Sequence, residues 1–277
     1  MQQLKKSLLK YKIENKNNTM NFMMKKTISI SFLLIFTLCG CVTKDSEMNA
    51  DAYVYKKGVV PACQMLLSRK QQKALRREVL QQKKCPDSVR ERVSEEAARE
   101  GFELLQDHNL VAAMLEFNHA WRYNPKQYAA WWGASAIRSM QAEAEKDPAQ
   151  SIRYLEDSIT LLEKAVELAP GLKKFNVQSD LANCYSLCGK ANLAIGKKHK
   201  GMSFLTKGKK IITELIKQFP NGGRFHSMYA VNAFYRGDFA TAKYEIAEAE
   251  RCMVPVDPEL KDAVLKKMAE SNDKATK

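Results

Sequence analysis

The chain has 277 residues, with 45 Lys and Arg against 31 Asp and Glu, a formal charge of +14, and 45% hydrophobic residues. That length and apolar content suffice for one large domain or a repeat array. Beyond residue 41 no segment is apolar enough to cross a membrane, and no His or Cys pair stands at the spacing of a zinc site.

Residues 23–41 read Met-Met-Lys-Lys-Thr-Ile-Ser-Ile-Ser-Phe-Leu-Leu-Ile-Phe-Thr-Leu-Cys-Gly-Cys. Lys25 and Lys26 precede an apolar run from Ile28 to Leu38, and Leu38-Cys39-Gly40-Cys41 closes it. The run is about half the ~20 residues that span a bilayer. Charge before it and small residues after it are the signature of a signal peptide. The stretch resembles the signal peptide and lipobox of bacterial lipoproteins. The resemblance implies a signal peptide over 23–40, cleavage before Cys41 and a diacylglycerol on the Cys41 sulfur. Acyl chains bury CH₂ groups at ~0.8 kcal/mol each, so such an anchor holds without a protein span. No other cofactor is expected. Val42 is not the aspartate that resembles an inner-membrane retention signal. A two-membrane host would then place the domain on the outer membrane, facing the periplasm; a single-membrane host, on the outer face.

Residues 1–22 precede this complete leader and are expected to be a non-native upstream extension, with synthesis starting at Met20, Met23 or Met24. Residues 1–41 hold seven Lys and one Glu, so +6 of the +14 leaves with them and about +8 remains. The remaining excess clusters in Lys56 to Arg92 and Lys190 to Lys217. It suits solvated helix faces, an anionic lipid surface or an acidic partner; nucleic acid is not expected outside the cytoplasm.

Residues 41–57 are polar and unpatterned, as a lipid-anchored tether would be. Residues 58–93 form an N-terminal basic helical segment. Ser68-x-x-Gln71 followed by Leu75, Val79 and Leu80 predicts a helix near 69–84, stopped by Pro86. Cys63 and Cys85 could close a disulfide worth roughly 3 kcal/mol, but only if residues 63–68 fold back along that helix. Cys184 and Cys188 stand four apart, poor geometry for bridging, and read as small buried hydrophobes.

From Ser94 onward apolar residues recur at three and four, prolines fall between segments and no hairpin signal appears. Gly101, Leu104, Ala113, Phe117, Ala120 and Pro125 follow G-x2-L-x8-A-x3-F-x2-A-x4-P. Small residues let two helices pack closely, Phe117 fills the gap to the next unit, and Pro125 ends the second helix. A second unit runs from Trp131, Ala134 and Ser135 to Ser158, Leu162, Ala165 and Pro170. A third runs from Leu181, Ala182 and Tyr185 to Ile212, Leu215 and Pro220. The fourth has Tyr229-Ala230, a Gly237-Asp238 turn, Ala242, Ile246, Ala249 and Pro255. Asp257-Pro258-Glu259 opens a C-terminal capping helix.

This pattern resembles the tetratricopeptide repeat over 94–270, with a disordered tail at 271–277. The closing prolines lie 45, 50 and 35 residues apart, against about 34 in a regular array. The middle units therefore carry insertions that lengthen helices or add short ones. The resemblance implies an all-α fold of helical hairpins in a short right-handed superhelix. It also implies a groove lined by the first helix of each pair, which holds extended or helical peptides. Register places Phe102, Leu105, Trp132, Asn183, Ser186, Phe234 and Tyr235 on the groove, with Arg224 near its edge. Trp131 and Trp132 are adjacent on a helix and cannot face one way, so Trp131 is expected in the core.

The sequence shows no nucleophile motif, no Gly-rich phosphate loop and no paired metal ligands, and the four histidines are scattered. Gly189, Gly196 and Gly201 read as turns. The expected function is a non-catalytic, lipid-anchored scaffold in the cell envelope. Its partners would be envelope proteins or peptides, in assembly or regulation of an envelope, pilus or secretion complex. The alternative is a structural envelope protein whose basic helices bind anionic lipid, lipopolysaccharide or wall polymer. For it the notable cluster is Lys197-Lys198-His199-Lys200 with Lys207, Lys209 and Lys210.

Overall fold

The computed structural model describes residues 85–275. The leader, Cys41, the tether, the helix expected at 69–84 and Cys63 with its expected bridge to Cys85 lie outside the described residues. Among the described residues there are nine α-helices and no strand. They are α1 (Asp87–Gln106), α2 (Leu110–Tyr123), α3 (Tyr128–Ala144), α4 (Pro148–Leu168), α5 (Lys173–Ala194), α6 (Lys198–Gln218), α7 (Gly223–Arg236), α8 (Phe239–Arg251) and α9 (Pro258–Ala275).

Local chemistry sets several helix starts. The Asn109 side chain accepts the Ala112 N–H, Asp147 accepts that of Ala149, Asp238 that of Thr241, and Asp257 that of Glu259. Each satisfies a backbone donor that has no partner inside its helix. Pro148 and Pro258 occupy the first position of α4 and α9, where a missing N–H costs nothing. Gly237 ends α7 with φ of 78°, a left-handed conformation that favours glycine.

Helices pack in adjacent pairs, α1 with α2, α3 with α4, α5 with α6 and α7 with α8, and α9 covers α8. Each pair also meets the next: α2 touches α3, α4 touches α5 and α6 touches α7, with α1 also against α3 and α5 against α7. Phe117 shows how the first junction closes. Its ring is buried between α1 and α3, and a Cβ on Gly101 would fall 2.7 Å from it, one on Gly133 only 2.1 Å. The aromatic ring fills space that both glycines leave open. Gly133 was not part of the sequence pattern.

Three expectations shift. Gly189 and Gly201 are not turns: they lie inside α5 and α6. A Cβ on Gly201 would sit 2.9 Å from the Gly189 carbonyl oxygen, so these two helices touch backbone to backbone. Only Gly196 of that trio takes a turn conformation, with φ of 78°. Of the two outcomes expected for the middle insertions, the structure shows helix length: α4, α5 and α6 have 21, 22 and 21 residues, against 14 and 13 in α7 and α8. The third pair accordingly begins at Lys173, well before Leu181. Helical structure also exceeds the expected 94–270 boundaries. Pro86 precedes α1 at Asp87, and α9 continues to Ala275 into the expected tail.

The core runs along the pairs. Ala113, Phe117 and Ile137 form one cluster, Ile152, Leu162, Val177 and Cys188 a second, and Ile212, Ala230, Ala242 and Val264 a third. Trp131 packs against the first two of these clusters and Ile211 against the second and third, which joins them into one continuous hydrophobic body.

A candidate interaction face on the first helices

The first helix of each pair is tied to the next by side chains on one face. On α1, Phe102 meets Trp132 of α3 edge-on at 5.5 Å. Trp132 stacks with Tyr128, one turn earlier on the same helix, at 6.4 Å. Its indole N–H donates to Asp180 Oδ2 of α5 at 2.8 Å. Arg224 of α7 donates to the other oxygen, Asp180 Oδ1, at 2.9 Å. Lys173 of α5 lies over the Tyr128 ring at 5.6 Å, and Lys190 of α5 over Tyr235 of α7 at 5.3 Å. The row therefore crosses α1, α3, α5 and α7 without a break.

Asp180 is the hinge of this arrangement. Its side chain is only 12% exposed, and one carboxylate accepts from an indole and a guanidinium at once. Burying a charge with both oxygens engaged is tolerable; burying it alone is not. It is also the sole acidic residue in α5. That isolation is a signal legible in the sequence.

The adjacent tryptophans diverge as a 100° helical step requires. Trp131 turns to Trp121 at 6.3 Å and donates its N–H to the Pro125 carbonyl at 3.0 Å. Trp132 takes the first-helix face but is half-buried there, packed between units.

The structure sorts the other groove candidates. Phe102, Asn183, Phe234 and Tyr235 are half-buried on the first helices, and Phe234 leans on Tyr235 at 5.3 Å and Phe239 at 5.8 Å. Leu105 is not presented: it is 5% exposed and packs with Ala113 and Phe117 in the core. Ser186 is likewise interior at 4%. Its hydroxyl donates to the Ala182 carbonyl at 3.1 Å and accepts from the Asn232 amide at 2.9 Å, pinning α5 to α7. Both misplacements arise because the lengthened α5 is enclosed by α4, α6 and α7, and α1 by α2 and α3. Helix α5 keeps only a narrow outward stripe, and α1 exposes mainly its charged side. Arg224 is bound to Asp180 on the face rather than standing at an edge. Asp180, Tyr128, Lys173 and Lys190 are the members that register alone did not identify.

Two buried titratable groups lie apart from this face. His226 Nε2 sits 2.9 Å from the Pro220 carbonyl and Nδ1 sits 2.6 Å from Glu245 Oε2, with both side chains almost fully buried. A carbonyl only accepts, so Nε2 carries a proton. The pair then shares one more proton between Nδ1 and the carboxyl. Burial raises the Glu245 carboxyl above its ordinary range, and the hydrogen bond with His226 opposes that shift. The second group is Cys184 and Cys188 of α5. Burial raises the Cys184 thiol, and pushes Cys188 up to about 12. Both stay protonated at neutral pH and are poor nucleophiles. Cys184 touches the hydroxyls of Ser158 at 3.3 Å and Ser139 at 3.5 Å, a small polar knot linking α3, α4 and α5. Among the described residues no group of three His, Cys, Asp or Glu is placed to hold a metal ion.

The chain matches no protein-family model, no curated protein and no solved structure.

Proposed function

We propose that this chain is a non-catalytic scaffold of the bacterial cell envelope: a lipid-anchored domain of tetratricopeptide-type hairpins that holds a protein or peptide partner against its first helices. The observation that carries this reading is the unbroken row Phe102, Trp132, Asp180 and Arg224 across α1, α3, α5 and α7. In this reading the pairs coil as a short right-handed superhelix, with that row on its inner side. The packed members set the spacing of the first helices, and the more open members contact the partner. Asn183 offers both amide donors and an acceptor to a peptide backbone, and Tyr235 an aromatic anchor. The anchor rests on the sequence of residues 23–41 and the acyl-bearing Cys41. No helix of the described residues is long and apolar enough to cross a membrane.

The test is crosslinking in living cells with affinity recovery and mass spectrometry, on wild type, Cys41→Ser and Asn183→Ala/Tyr235→Ala. The expected result is one reproducible set of envelope proteins, altered when the anchor is removed and reduced about tenfold by the double substitution. Circular dichroism should show that variant still folded. Equal recovery by the folded double variant overturns the first-helix face as the docking site.

A further inference from the structure

We infer that the outward side of α6 is a docking face for an anionic lipid bilayer. This goes beyond the partner face on the first helices and does not depend on it. Helix α6 carries six lysines, at 198, 200, 207, 209, 210 and 217, against one acid, Glu214. Its buried positions are Gly201, Leu205, Gly208, Ile212 and Leu215. At 100° per residue, Lys200, Lys207, Lys210 and Lys217 fall on the side opposite them, and all four are exposed. From Lys200 to Lys217 this ridge extends about 26 Å at 1.5 Å per residue. Exposed Lys197, Lys198 and His199 lie at its N-terminal end.

Aromatic rings hold part of the ridge in place. Lys207 lies over Tyr185 at 5.6 Å and over Phe204 at 5.9 Å, and Lys200 lies over Phe204 at 5.9 Å. Two acids temper it: Glu156 pairs with Lys200 at 2.5 Å, and Glu214 with Lys217 at 3.6 Å. The Glu214–Lys217 pair is exposed, so its mutual attraction is weak in water and open to exchange for phosphate; Glu156 is half-buried and holds Lys200 more firmly at the flank of the ridge.

The chemistry selects the partner. All the ridge cations are lysines, and α6 contains no arginine. An ammonium is a compact point charge without the planar fork that reads one carboxylate or phosphate with direction. An extended row of exposed point charges fits a diffuse sheet of headgroup phosphates better than a single stereospecific peptide.

Full-length protein should be sedimented with vesicles of neutral phosphatidylcholine alone and with 30% phosphatidylglycerol. Each lysine near an anionic surface strengthens binding about fivefold. Lys200→Gln/Lys207→Gln/Lys210→Gln/Lys217→Gln should therefore bind anionic vesicles at least a hundredfold more weakly. Removal of the same charge elsewhere, with Lys126→Gln/Lys243→Gln/Lys266→Gln/Lys267→Gln, should weaken it less than tenfold. Neutral vesicles measure any contribution of the apolar N-terminal stretch and should not separate the variants. Should the quadruple variant unfold, Lys210→Glu/Lys217→Glu at two exposed positions makes the same comparison. Equal weakening by both quadruple sets would overturn the docking face in favour of net charge. Equal binding of wild type to both vesicles would overturn it too. So would submicromolar capture of a polyglutamate peptide that the ridge substitutions abolish, which would assign the ridge to an acidic protein.

Discussion

Trp132 of α3 donates its indole N–H to Asp180 of α5 across 2.8 Å, and this bond bridges two helix pairs at positions 48 residues apart. The same carboxylate receives Arg224 from a third pair. Asp180→Ala removes the acceptor for both donors. Hydrogen bonds to a charged group contribute about 1.5–3 kcal/mol, so the variant should lose at least that in urea unfolding. Trp132→Phe keeps the ring and removes only the N–H. A double-mutant cycle of the two substitutions should show about 1 kcal/mol of coupling or more. Additive effects would mean that the bond does not join the pairs.

Phe117 and Gly133 form a complementary contact across the first junction. Gly133→Ala would force the Phe117 ring to move, since the new Cβ would lie 2.1 Å from it. Overpacking of this kind costs about 1–3 kcal/mol. Phe117→Ala should cost about 3–5 kcal/mol through the cavity it leaves. Adding Phe117→Leu to Gly133→Ala should recover part of the loss, which thermal unfolding of the single and double variants will read directly.

His226 and Glu245 sit in a buried contact between α7 and α8. His226→Ala strands a buried carboxyl and should destabilise the fold by about 3–5 kcal/mol. Glu245→Gln should cost only about 1 kcal/mol, because an amide N–H can donate to Nδ1 while Nε2 keeps its bond to Pro220. Chemical denaturation at pH 7 distinguishes the two; equal losses would mean that the folded contact is an ion pair, in which Glu245→Gln strands a buried charge as well.

The α5 thiols make a prediction about alkali. A thiol has an ordinary value of 9.0, and burial pushes Cys188 up to about 12 while Cys184 is also raised. Below pH 9 both states are protonated and neither thiol makes stability depend on pH. Above pH 9 the unfolded chain loses these protons first, so stability falls as pH rises towards 12. Each thiol contributes a slope of about 1.4 kcal/mol per pH unit in that window. Cys188→Ala should lower the slope by about that amount while leaving it unchanged below pH 8.5. At neutral pH, Cys85 and Cys252, which are half-buried, should react with Ellman's reagent well before Cys184 and Cys188.

Much of the fold was legible because helix boundaries are decided locally. Asp147-Pro148, Gly237-Asp238 and Asp257-Pro258 end or begin helices through their own backbone preferences and side-chain oxygens. The spacing of Gly101, Ala113, Phe117 and Ala120 marked a pair of closely packed helices, because small residues and one large ring must alternate where helices touch. What periodicity cannot decide is which part of an apolar stripe remains open once neighbours arrive on several sides. Tertiary packing buried Leu105 and Ser186, half-buried Trp132, and turned Gly189 and Gly201 from turns into a helix contact. It also decided that the middle insertions lengthen helices rather than add short ones. Asp180 is the clearest case. The sequence alone makes it the lone acid of its helix, and only the approach of α3 and α7 supplies the indole and guanidinium that make its burial affordable. Local chemistry determined where the helices lie; contacts between residues far apart in the chain determined which of their faces remain for a partner.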